Sequence, residues 1–173
     1  VFAYVFLIGL GFMLLEMSFL QRWVLYLGHP VLSAAAVIAS FLVFAGVGSQ
    51  WSARCREAQG RAARRAGSAV AALAVLTLVF LPFLLDATMG WPLAARFVVA
   101  LLSVAPLAVA MGHMLPLGLR LIRRSESLVA WAWGINGFAS VTATLAAPLL
   151  SMSIGLRGMT WLAIGCYLGA AAL

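Results

Sequence analysis

The sequence predicts an all-α fold, a polytopic transmembrane bundle of about six helices, and three observations carry that expectation. Of 173 residues, 65% are hydrophobic and only 9% are charged, against about 25% charge in ordinary soluble domains. The apolar residues arrive in runs long enough to cross a hydrocarbon core of ~30 Å at 1.5 Å per residue. Between the runs stand prolines, glycines and clusters of arginine. The whole chain, 1–173, reads as one membrane domain whose immediate partner is lipid.

The first span runs over about residues 1–27 and stops at His29-Pro30, because proline disfavours helical geometry in the residue before it. The second covers 31–51. A polar stretch, 52–67, follows with Arg54, Arg56, Arg61, Arg64 and Arg65 against Glu57 alone, and reads as a basic loop. The third span, 68–85, ends in a turn marked by Asp86, Gly90 and Pro92, and the fourth, 93–117, contains Pro106 and Pro116. A second basic loop, 118–127, leads to the fifth span, 128–150. A turn from Ser151 to Gly158 precedes the sixth, 156–173.

The net charge of +7 comes entirely from arginine. These residues sit in short connections and not on an aromatic-interleaved surface, so they speak for membrane orientation and against nucleic-acid binding. Cytoplasmic loops collect basic residues. The second and fourth connections hold eight arginines, the opposite side Arg22, Arg96 and Arg157. Both termini are therefore expected in the cytoplasm. Trp23, Tyr26, Trp91 and Trp161 would then belong to an outer aromatic belt, and Trp51, Trp131 and Trp133 to an inner one.

Cys55 and Cys166 show neither metal-type spacing nor a paired framework, and no metal or cofactor is expected. The chain opens on Val1, apolar from the start and without a cleavable signal pattern, and reads as a piece of a longer protein. No nucleophile elbow, phosphate-cradling glycine loop or paired carboxylates occur. Gly9, Gly11, Gly46 and Gly48 lie in spans, where small residues serve packing.

The residues that could carry chemistry are polar groups inside spans. Glu16 leads, because an ionisable group there costs at least ~2.5 kcal/mol. It lies ~22 Å along the first helix, and Arg22, ~240° further round the axis, does not share its face. Two readings stay open: a protonated carboxyl bonded to a neighbouring helix, or a group that handles cations or protons. Asn136, Ser140 and Thr144 form a polar stripe on the fifth span, with Ser140 and Thr144 near the level of Glu16. Beside it the small stripe Ala139, Ala143 and Ala147 allows close helix approach. Of the two histidines, His29 falls at the outer surface. His113 falls near the inner end of the fourth span, as a polar cap or a group titrating near neutral pH.

The stretch GLGFMLLEMSFLQRWVLYLGHPVLSAAAVIASFLVFAGVGS, Gly9 to Ser49, resembles the opening of the C-terminal membrane region of bacterial proteins in which transmembrane helices are fused to a spermidine-synthase-like domain. GHMLPLGLRL, Gly112 to Leu121, and WAWGINGFAS, Trp131 to Ser140, resemble later blocks of that region, with His113 and Met114 departing from the family pattern. The resemblance covers most of the chain. It implies a noncatalytic module of the bacterial inner membrane that anchors or docks a partner protein or fused soluble domain, since the synthase-like pocket belongs to a domain this chain does not contain. A weaker likeness is to half of a major facilitator transporter for a cationic or amine solute. A third expectation is a structural subunit of a larger membrane complex, its small faces and tryptophans meeting other proteins or pigments.

Overall fold

The structure, a computed structural model, describes residues 1–54 and 59–173. Cys55, Arg56 and Glu57 of the expected basic loop lie outside the described residues. The others form five helices: α1 (Phe2–Leu27), α2 (Pro30–Arg54), α3 (Gln59–Thr88), α4 (Leu93–Leu119) and α5 (Glu126–Ala172). All five are long and apolar enough to cross a membrane.

The ends of the helices follow local chemistry. Gly28 closes α1 in the left-handed conformation, φ 72°, its N–H donating to the Val24 carbonyl at 3.1 Å. Pro30 then starts α2, where its missing N–H costs nothing. Ser33, fully buried, donates to the Trp23 carbonyl at 2.9 Å and ties the second helix back onto the first. Helix α3 begins at Gln59, so residues 59–67, expected in a loop, are helical. Alanine and arginine are strong helix formers, and a helix does not need to be apolar where it leaves the bilayer.

Over its 47 residues α5 consists of two helical arms that meet at Gly155 (φ 70°, ψ 174°), inside the turn expected from Ser151 to Gly158. A straight helix of that length would measure about 70 Å, more than twice a hydrocarbon core. The two arms instead return to neighbouring turns of α1. Gly9 lies against Asn136 and Ala139 of the first arm, and Gly11 against Cys166 and Tyr167 of the second. Residues 136 and 166 of a straight helix would stand about 45 Å apart, so the chain folds back at Gly155. The backbone there occupies a region open essentially only to glycine.

Helix α1 forms the centre, packed against α5, α2 and α4, while α3 packs on α4 and α5. A Cβ at Gly48 would run into the Val109 carbonyl and one at Gly112 into the Ala45 carbonyl, so α2 and α4 touch backbone to backbone. Ala139, Ala143 and Ala147 are fully buried, as the small stripe leads one to expect. Phe138, Val141, Leu145, Leu149 and Met152 leave the other face of that arm exposed, Leu145 at 72% and Met152 at 86%. Such a stripe is untenable in water and ordinary in lipid.

Two expected belt residues are not at the surface. Trp23 is 0% exposed and Tyr26 2%. Trp23 stacks edge-on to Phe19 with centroids 5.8 Å apart, and Phe19 stacks likewise on Phe41 of α2. Tyr26 shares a 2.6 Å hydrogen bond with Thr88 and lies under the Arg96 guanidinium at 4.8 Å. Aromatic burial at this crossing outweighs the preference of their rings for headgroups. Trp51, Trp91, Trp131, Trp133 and Trp161 are all more than half exposed.

Candidate functional site

A cleft of about 970 Å³ opens between α2 and α4 on one side and the first arm of α5 on the other, floored by α1. Each helix contributes one face of it: Ile8, Gly9, Phe12 and Met13 from α1, Ala45, Gly46, Ser49 and Ser52 from α2, and Val129, Trp133, Asn136 and Ser140 from α5. Those spacings of one, three and four residues are the signature of one helical stripe in every case. From α4 and the turn after it come Gly112, Leu115, Pro116, Leu119, Arg120 and Arg123. The walls are mostly apolar and the charge is confined to one end.

That end is built around the last turns of α2 and α4. The Arg120 guanidinium donates to the Ser52 carbonyl, placing a cation on the C-terminal carbonyls of α2, where the helix dipole favours it. Ser52 is fully buried, yet its hydroxyl has no hydrogen-bond partner among the described residues. Arg123, three residues beyond Arg120, is exposed and also faces the cleft.

The cleft brings together only part of the polar set expected from the sequence. Asn136 and Ser140 line it. The Asn136 amide lies over Gly9, where a Cβ would come within 2.7 Å of Oδ1. Ser140 donates to the Asn136 carbonyl and Thr144 to the Ser140 carbonyl, each at 2.9 Å, so both hydroxyls are satisfied within their own helix. Two turns up the parallel pair of α1 and the first arm of α5, the register that sets Gly9 opposite Asn136 brings Ala143 and Thr144 to the level of Glu16. Glu16 is 9% exposed and, among the described residues, forms no hydrogen bond or ion pair. It does not line the cleft.

Arg22 and His113 lie elsewhere. Arg22 donates to Ser18 at 3.4 Å and to Thr160 at 3.5 Å, and Arg157 is close enough to act on it electrostatically. Ser18 and Thr160 are themselves 3.3 Å apart, and Ser18 also reaches the Leu156 carbonyl. This cluster bonds α1 to the second arm of α5, away from Glu16. His113 donates through Nδ1 to the Val109 carbonyl at 2.8 Å and lines a smaller cavity with Trp51 and Arg65. Among the described residues no group of three His, Cys, Asp or Glu side chains could hold a metal.

Ser52, Arg120 and Arg123 did not stand out as a site in the sequence, where the arginines served only to set orientation. The available signal was the spacing of Ser52 from Ser49 and of Arg120 from Pro116, one helical turn apart in each case. Comparison with protein families, with curated proteins and with solved structures finds no match for this chain.

Proposed function

We propose that the chain is a noncatalytic membrane module of six crossings, with both termini in the cytoplasm of a bacterium, that anchors or docks a partner on that side of the inner membrane. The observation that carries this reading is that Val1, Arg64 and Leu173 share the walls of one cavity. The two ends of the chain thus emerge at the end of the bundle that also holds the basic start of α3. By the positive-inside rule that end is cytoplasmic, and the reversal at Gly155 supplies the even number of crossings it requires. The likeness of Gly9 to Ser49 and of the two later blocks to membrane regions fused to spermidine-synthase-like domains supports the anchoring role.

The carrier reading draws less support from the same geometry. Arg120 and Arg123 at the mouth of the cleft repel a cationic or amine solute, and Glu16 is absent from its walls. The exposed apolar faces are equally compatible with lipid and with neighbouring subunits.

Two measurements test the proposal. In cells, single cysteines introduced into a cysteine-free background at Ser153 and Met89 should react with an impermeant maleimide from outside, and one at Ser125 only after permeabilisation. Labelling of Ser125 and Ser153 from the same side would remove the six-crossing topology. In proteoliposomes the purified chain should move a radiolabelled diamine no faster than empty vesicles do. Flux above that control would replace anchoring by transport.

A further inference from the structure

The cleft combines features that anchoring does not need. Its body is lined by Phe12, Phe41, Leu42 and Leu115, and its end holds two guanidinium groups and a buried hydroxyl with no partner among the described residues. Leaving a buried hydroxyl unbonded costs free energy that an acceptor from outside would recover. Guanidinium groups bind phosphate oxygens in a planar, two-pronged geometry. A volume of about 970 Å³ also lies at the top of the range for cavities that take small molecules, ~300–1,000 Å³.

Charge at one end and an apolar trough behind it match an amphiphile whose headgroup is anionic. The charged end coincides with the ends of α2 and α4, the level at which headgroups of the surrounding leaflet lie. The bilayer itself therefore presents the ligand. We propose that this cleft binds one anionic phospholipid, its phosphate held at Ser52, Arg120 and Arg123 and one acyl chain lying along Phe12 and Phe41 toward Asn136 and Ser140. The site requires the chain to sit in a bilayer but is independent of whether a soluble domain is anchored to it.

Gly46 offers a way to block the trough. It lines the cleft, and a Cβ added there would meet nothing within 4 Å, so a large side chain projects into the space the acyl chain would fill. Arg123 and Arg124 form a matched pair, both exposed, of which only Arg123 lines the cleft.

The test is native mass spectrometry of the full chain in a neutral detergent, titrated with phosphatidylglycerol and with phosphatidylcholine of the same acyl chains. One phosphatidylglycerol should be retained, roughly tenfold more tightly than phosphatidylcholine. Arg123→Gln should weaken it roughly tenfold, as loss of one charge-assisted hydrogen bond does, while Arg124→Gln leaves it unchanged. Gly46→Phe should abolish retention without lowering the unfolding temperature, and inorganic phosphate should not compete. Equal affinity for the two lipids, equal losses in the two arginine variants, or displacement by inorganic phosphate alone would each overturn the proposal. The arginine pair decides even if Gly46→Phe does not fold.

Discussion

Gly48 and Gly112 stand on the two sides of one crossing, each facing a backbone carbonyl of the other helix, Val109 for the first and Ala45 for the second. No lipid and no side chain separates α2 from α4 at that point. Dispersion between the two backbones holds them, since in a membrane the hydrophobic effect does not drive helices together.

This contact predicts a steric cost. Gly48→Leu and Gly112→Leu should each lower stability by about 3 kcal/mol or more, above the usual range for overpacking because the obstacle is backbone. Gly134→Ala, where nothing lies within 4 Å of the added carbon, serves as control. Unfolding by denaturing detergent measures all three, and a Leu variant as stable as the wild type would disprove the close approach.

Gly155 carries a backbone prediction. Its φ of 70° and ψ of 174° lie where a Cβ is strained by about 1–3 kcal/mol. Gly155→Ala should lower the thermal midpoint in detergent, while Gly165→Ala, in regular helix with open space around it, should not. Equal midpoints for the two variants would mean that the reversal is made at another residue.

The polar cluster at Ser18 and Thr160 should behave as an interhelical hydrogen bond. A double-mutant cycle with Ser18→Ala and Thr160→Val is expected to give a coupling of about 0.6–1.7 kcal/mol. Additive effects would show that their 3.3 Å separation carries no mutual energy.

Glu16 is buried without a partner among the described residues, so its removal should not destabilise the fold. Glu16→Leu is expected to unfold no earlier than wild type, because a carboxyl left unbonded in an apolar setting is itself costly. Glu16→Gln should likewise preserve folded yield. Earlier unfolding of the Leu variant alone would reveal a hydrogen bond to the carboxyl.

Much of the bundle was legible because burial in lipid leaves a long-lived mark on composition. The helix boundary at Gly28-His29-Pro30 and the start of α4 at Leu93 could be placed to within a residue or two, since proline and glycine act locally. The start of α3 could not, because the sequence Gln59 to Gly67 is polar, and polarity marks the edge of the membrane without marking the edge of a helix. Trp23 and Tyr26 were misplaced for a related reason. Their preference for the interface is an average, and a particular crossing with Phe19 and Phe41 overrides it.

The candidate site divides in the same way. Asn136 and Ser140 could be chosen from the sequence as polar groups on one face of an apolar helix, and they line the cleft. Glu16 attracted attention for its charge and proved to lie outside it. Ser52, Arg120 and Arg123 are ordinary in sequence, and they matter because α2 and α4 end side by side.

By itself, the sequence determined that this chain is helical, apolar enough for lipid and basic at particular connections, because those properties are sums over residues that each act alone. The turn expected from Ser151 to Gly158 was legible too, and the structure places its break at Gly155; tertiary structure alone decided that α2 and α4 meet backbone to backbone, and that a cationic end and an apolar trough share one cleft. These depend on which faces meet. Between helices in lipid that choice rests on close packing and a few hydrogen bonds, for which no single residue carries the signal.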